Sequence, residues 1–126
     1  MAELARGEIH YIHFPYTLDP RYPTGKKKFV LVLQEGEYFK KYDTVVVLLL
    51  TSEEESKGFE TNVTVELGTT DLDQESYIIG AQPYPVKKSL FSASGAWCAG
   101  KLDDPIMDQV DEALYIGLCM GKQNEE

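Results

Sequence analysis

The chain has 126 residues, of which 43% are hydrophobic and 26% charged, and its formal net charge is −9. This composition is typical of a folded globular protein, and the length predicts a single domain over residues 1–126. No apolar run approaches the roughly 18 residues that a membrane helix needs, so we expect no membrane partner. The acidic balance argues against indiscriminate nucleic-acid binding, because the net field repels phosphate.

The N-terminal third predicts one strand followed by a long loop. Residues 6–14 have the character of a β-strand that Pro15 ends. Residues 15–28 contain three prolines and one glycine, which predicts irregular structure. Loops longer than about 12 residues are uncommon in compact domains unless they are functional or disordered. The first ten residues lack the apolar core of a signal peptide, so we expect a cytoplasmic protein.

A central hairpin organises the middle of the chain. Phe29–Leu33 and Thr44–Leu50 are apolar and β-branched, and their near-continuous hydrophobicity predicts strands buried on both faces or closed into a small barrel. The lysines 26–28 precede the first strand, and Thr51 and Ser52 follow the second. An antiparallel hairpin would bring cations and hydroxyls to one rim. Such a rim can bind RNA or an acidic protein, or it can be a solvated cluster that protects a strand edge.

The C-terminal half predicts three short strands and one helix. Residues 63–67 alternate apolar and polar side chains, residues 77–82 predict a short buried strand, and a last strand is expected near residues 96–99. Asp104 and Pro105 suit the N-cap and first position of a helix. The predicted apolar stripe of that helix consists of Ile106, Val110, Ala113, Leu114, Gly117 and Leu118. The whole pattern predicts a mainly β antiparallel barrel of five to seven strands with a C-terminal helix.

The two cysteines are far apart in the sequence. Cys98 and Cys119 form no CxxC motif and have no histidine beside them. We therefore predict reduced thiols, with Cys119 in the core, and neither a metal site nor a cofactor.

Five short segments follow one another in the order of a known family. They are Arg6-Gly7-Glu8-Ile9, the glycine, lysines and apolar strand of residues 25–32, the strand 45–50 followed by Thr51-Ser52, the residues Leu72, Asp73, Ser76, Ile78 and Gln82, and Gly100-Lys101-Leu102 with Met107, Val110, Ala113 and Leu114. Over residues 6–118 this set resembles the PemK/MazF-type toxins, the endoribonuclease halves of bacterial toxin–antitoxin pairs. The resemblance implies an SH3-like barrel, a homodimer, an antitoxin-like protein partner and cleavage of single-stranded RNA without a metal.

That chemistry needs a base for the ribose 2′-hydroxyl, a cation for the phosphate and an acid for the leaving 5′-oxygen, and it gives a cyclic phosphate. The phosphate-binding arginine of the family aligns with Lys27 or Lys28, and its threonine with Thr51. The candidate catalytic residues are Lys28, Thr51, Arg21 and His13. The candidate RNA-binding residues are Lys26, Lys27, Ser52, Gln82, Lys87 and Lys88.

The resemblance fails where part of the family has its acid–base pair. An arginine and an aspartate of the PemK/Kid branch correspond to Ile79 and Ala81, and neither of these can carry a proton. Its loop histidine has Arg21 as the nearest match, which leaves His13 or His10 on the first strand for proton transfer. Two functions therefore stay open: an endoribonuclease with a rewired site, or a catalytically degenerate relative that uses the barrel to bind protein or nucleic acid.

Overall fold

The computed structural model describes residues 3–121. The strands and the helix are β1 (Glu8–Phe14), β2 (Lys26–Val32), β3 (Thr44–Thr51), β4 (Asn62–Val65), β5 (Ser76–Ile79), β6 (Tyr84–Lys87), β7 (Trp97–Lys101) and α1 (Asp104–Gly117). Short 3₁₀ turns lie at Glu37–Lys41, Glu54–Ser56 and Lys88–Ser92.

All strand pairs are antiparallel, in the order β4-β5-β3-β2-β1-β7. One edge of the long strand β3 pairs with β2, and its other edge pairs with two shorter strands. Its beginning pairs with β6, where Val45 lies opposite Val86, and its end pairs with β5, where Leu50 lies opposite Ile78. The sheet therefore curls into a half-barrel that carries one C-terminal helix, and this confirms the predicted mainly β fold class.

Two apolar clusters, on opposite faces of the sheet, explain why β2 and β3 are almost uniformly hydrophobic. Leu31 and Leu48 contribute to the cluster that α1 covers through Met107, Val110 and Ala113. The alternate residues of the same strands belong to the second cluster, which comprises Ile12, Phe14, Val30, Val32, Val45, Val47, Val86 and Phe91. Burial on both faces leaves no position for a polar residue in the middle of either strand.

The lysines 26–28 form the first three residues of β2, whereas we expected them in the preceding loop. They pair with the end of β1, with Lys28 opposite Ile12 and Lys26 opposite Phe14. Gly25 allows this early start. Its φ is +100°, and a Cβ there would lie 2.2 Å from the carbonyl oxygen of Phe14. Only glycine fits so close to the neighbouring backbone. Strand alternation therefore separates the three lysines onto two faces.

Two strand predictions are corrected. Pro85 lies inside β6, which we did not predict, and is tolerated there because β6 pairs with β3 alone and is an edge strand. Strand β4 ends at Val65, and Leu67, which alternation placed in the strand, is 62% exposed.

The helix differs from its prediction at both ends. Asp103, not Asp104, is the N-cap, and its side chain accepts a hydrogen bond from the backbone N–H of Ile106 at 3.3 Å. The helix ends at Gly117, so Leu118, the last residue of the predicted stripe, lies just beyond it, and Cys119 has a φ of 56°. The prediction that Cys119 lies in the core is wrong, because its side chain is exposed.

Candidate functional site

Lys28 and Thr51 lie on neighbouring strands and on one face of the sheet. Val30 pairs with Leu49, and the same antiparallel register continued by two residues places Lys28 opposite Thr51. Side chains directly opposite on such strands have Cβ atoms about 4.5–5.5 Å apart. The continued register therefore places a cation and a hydroxyl at one rim of the hairpin.

Glu53 completes a three-residue group with Lys28 and Thr51. The backbone N–H of Glu53 donates to Thr51 Oγ1 at 3.2 Å, so the hydroxyl proton of Thr51 can be donated outwards. Partial burial lowers the pKa of the Lys28 ammonium, and the charge of Lys26 lowers it further, while Glu53 raises it. We name Lys28, Thr51 and Glu53 the rim triad. The sequence analysis did not single out Glu53, since three consecutive glutamates at residues 53–55 indicated only an exposed turn.

Tyr77 extends this row of side chains onto β5, where it pairs with Thr51. Its ring is buried, and its hydroxyl donates to Glu75 Oε1 at 2.8 Å. The hydrogen bond to Glu75, together with desolvation and the charge of Glu54, raises the pKa of Tyr77 to about 12. The phenol therefore stays protonated at neutral pH, with its proton held by Glu75.

Arg21, from the loop before β2, and Lys26, the first residue of β2, both lie near the ring of Tyr22. Lys26 Nζ lies 4.7 Å and Arg21 Cζ 5.6 Å from the centre of that ring. Arg21 also forms a forked ion pair with both carboxylate oxygens of Asp19. Asp19 raises the pKa of Arg21 and is itself held below its usual pKa by that guanidinium. The charge of Arg21 is therefore already compensated, whereas Lys26 offers a cation.

Lys27 and His13 face the other side of the sheet. Lys27 Nζ lies 5.7 Å from the centre of the Tyr11 ring, and His13 is the cross-strand neighbour of Lys27. His13 Nε2 is 2.8 Å from the carbonyl oxygen of Thr24, so this nitrogen must be the donor. Tyr11, Phe29 and Trp97 pack together on this side, with Trp97 44% exposed. The structure does not bring His13 to Lys28 and Thr51.

The remaining predicted residues lie in three places. Ser52 is exposed next to the rim triad, and Gln82 is exposed in the turn between β5 and β6. Lys87 lies opposite Thr44, at the other end of β3 from Thr51, which is about 23 Å away at 3.3 Å per residue. Lys88 Nζ donates to the carbonyl oxygen of Phe39 at 2.6 Å. Lys88 thus stabilises the 3₁₀ turn before β3, beside a cavity of about 200 Å³.

The positions of the missing acid–base pair are structural. Ile79 is half-buried at the end of β5, and Ala81 lies against α1, since a Cβ on Gly117 would meet its Cα at 2.9 Å. The buried His10 is bound by Glu8 and lies on the β1–β7 side of the sheet.

This fold agrees with the comparisons to known proteins. Residues 5–118 match the family of PemK-like, MazF-like toxins of type II toxin–antitoxin systems, and the chain belongs to that family. A search of curated protein sequences gave no match. Within residues 3–121, no helix combines the length and apolar character needed to cross a bilayer.

Several solved structures share the fold. An endoribonuclease from a mycobacterial species superimposes with a TM-score of 0.71 at 16% identity, covering 98% of each chain. MazF from Deinococcus radiodurans gives 0.71 at 15% identity, with 95% of this chain and 100% of the other covered. A mycobacterial endoribonuclease in complex with its cognate antitoxin gives 0.67 at 16% identity, with coverage of 94% and 97%.

Proposed function

We propose that this protein is an endoribonuclease that cleaves single-stranded RNA in the cytoplasm, using side-chain chemistry at the rim triad. The family to which the chain belongs supports the toxin function, and structures of its fold include proteins named as endoribonucleases. The observation that carries the proposal is the proximity of three chemically distinct groups. Lys28, with its lowered pKa, feels the charge of Glu53, and the Thr51 hydroxyl accepts the backbone N–H of Glu53, which leaves its own proton for a ligand.

Each group supplies one part of the reaction. Glu53 accepts the proton of the ribose 2′-hydroxyl, whose oxygen then attacks the adjacent phosphorus. Thr51 and Lys28 bind the phosphate oxygens, where negative charge accumulates in the transition state. Lys28 then gives a proton to the leaving 5′-oxygen, and its lowered pKa favours that transfer. The products are a 2′,3′-cyclic phosphate and a 5′-hydroxyl. Solvent then takes the proton from Glu53 and returns one to Lys28.

The geometry also distinguishes between the two lysines that align with the phosphate-binding arginine of the family. Lys28 shares a face with Thr51, whereas Lys27 lies beside Tyr11 on the other face. We therefore assign the phosphate contact to Lys28. Lys26, two residues earlier on the same face, would bind a flanking phosphate. Arg21 would join them only by releasing Asp19, and His13 would act on a different part of the RNA.

The test is cleavage of a long unstructured RNA by the purified protein in the presence of EDTA. We expect discrete products that end in a cyclic phosphate. Loss of one positioned donor to a developing charge costs about 10²–10³ in rate, which is the expected effect of Lys28→Ala. Thr51→Ala should cost about 10- to 100-fold, as for one hydrogen bond to a charged group. Glu53→Gln should cost about 10²–10⁴, the range for a general base.

Lys41→Ala is the matched control, because it removes the same unit charge from an exposed site before the other end of β3. It should retain native activity. Intact RNA with folded native protein would contradict the enzyme and favour the alternative of a barrel that only binds. Cleavage that survives in all three rim-triad variants would retain the enzyme but show that the site is elsewhere.

We further propose that the chain forms a homodimer and that a protein antitoxin inhibits it. Support for the antitoxin comes from complexes of the same fold, which include MazE–MazF of Deinococcus radiodurans. Light scattering of the purified protein at micromolar concentration should give twice the mass of the chain. Co-expression with the product of an adjacent gene should yield a stable complex that does not cleave RNA. A monomeric mass, or a complex with undiminished cleavage, would contradict these assignments.

A further inference from the structure

The pairing of β1 with β7 places a histidine opposite a cysteine. His10 and Cys98 are direct cross-strand partners, because the register shifts between Ile9 and His10. Glu8 adds a carboxylate from the same strand. One ligand-type atom of each of these three residues lies within 4.8 Å of the other two. The sequence did not indicate this group, since Cys98 is distant from both residues along the chain.

The three side chains are partly held in place before any ligand arrives. Glu8 Oε1 lies 2.8 Å from His10 Nε2 and also accepts the backbone N–H of Ala5 at 3.2 Å. The rings of His10 and Phe91 pack nearly perpendicular to each other, with 5.1 Å between ring centres. His10 is only 9% exposed, whereas the Cys98 thiol is exposed. A fixed, buried imidazole thus faces a thiol that solvent can reach.

We propose that Glu8, His10 and Cys98 bind a divalent transition-metal ion of the zinc class. Thiolate, imidazole and carboxylate are the ligands that Zn²⁺ uses, at about 2.3, 2.0 and 2.0–2.2 Å. A tetrahedral ion at these distances separates its ligand atoms by about 3.3–3.7 Å. The group reaches that spacing when Glu8 moves slightly away from His10 and Cys98 moves inwards. Water takes the fourth position, and Cys98 releases its thiol proton to solvent on binding.

The proposed ion would join the edge strand β7 to β1. Its ligands belong to β1 and β7, whereas Lys28 belongs to β2 and Thr51 to β3. None of the three ligands is a member of the rim triad, and the ribonuclease assay in EDTA tests that chemistry without the ion. Because a site made from two strands does not exist in the unfolded chain, binding raises the stability of the folded state.

The test is titration of the reduced, purified chain with Co²⁺ alone, followed by displacement with Zn²⁺. We expect a thiolate-to-cobalt charge-transfer band in the near ultraviolet, together with the intense visible bands of a tetrahedral ion, at one Co²⁺ per chain. Zn²⁺ should remove both bands. Zn²⁺ should also raise the unfolding temperature of the native chain.

The variants identify the ligands. Cys98→Ser should abolish the charge-transfer band, and Glu8→Gln, which keeps its hydrogen-bonding oxygen, should weaken Co²⁺ binding about 10-fold or more. Cys119→Ser is the matched control, because it removes an exposed thiol elsewhere and should leave the band unchanged. The absence of a charge-transfer band at millimolar Co²⁺ would overturn the proposal. A band that survives in Cys98→Ser, or that Cys119→Ser removes, would also overturn it.

Discussion

The separation of the lysines onto two faces predicts how strongly salt weakens RNA binding. Each phosphate of a single strand that a cation neutralises contributes about −0.7 to the slope of log K against log[salt]. Lys26 and Lys28 are the two cations that we assign to phosphates on the rim-triad face, so the expected slope is about −1.4. A rise from 50 to 200 mM salt should then weaken binding about 7-fold. If Arg21 and Lys27 also bound phosphate, the slope would be about −2.8 and the loss about 50-fold.

The assay is fluorescence anisotropy with a labelled 2′-O-methyl RNA, which binds but has no attacking hydroxyl. Lys28→Ala should reduce the slope to about −0.7, whereas Lys41→Ala should keep it at about −1.4. A native slope near −2.8 would show that both faces grip RNA. An unchanged slope in Lys28→Ala would refute the assignment of Lys28 to a phosphate.

Three further predictions follow from the geometry. The charge of Lys26 helps to lower the pKa of Lys28, so Lys26→Ala should raise that pKa. The alkaline limb of the kcat/KM profile should then move to higher pH. A limb that stays in place or moves to lower pH would contradict the role of Lys28 as the acid. Because the Tyr77 pKa is raised from 10 to about 12, its hydrogen bond stabilises the fold below pH 10, and this contribution is lost as the pH rises towards 12. In an absorbance titration of the tyrosines, Glu75→Ala should move the transition of one tyrosine to lower pH. Tyr77→Phe should remove that transition. Gly80→Ala would place a Cβ 2.3 Å from the Thr61 carbonyl oxygen and 2.9 Å from Ala113 Cβ. Urea unfolding should therefore show a free energy of unfolding lower by about 1–3 kcal/mol. Unchanged stability would refute the packing of β5 against α1.

Local sequence patterns were sufficient to predict the fold class. The apolar runs of β2 and β3 predicted strands buried on both faces, and the two clusters flanking them agree. These predictions succeeded because backbone preference and side-chain periodicity act over a few residues. They failed at the ends of elements, where tertiary contacts decide. Gly25 lets β2 start at Lys26, and pairing with β3 makes a strand around Pro85.

The candidate site divides in the same way. The sequence predicted that the lysines 26–28 and the hydroxyls of Thr51 and Ser52 would share one rim, because an antiparallel hairpin brings the start of one strand beside the end of the next. Only the tertiary structure decided that Lys27 and His13 face away, since the face of a strand residue depends on where the strand begins. Likewise, only the curl of the sheet brings β7 to β1 and Cys98 to His10. Contacts between residues so far apart along the chain leave no periodic signal in the sequence, so they can be identified only from the tertiary structure.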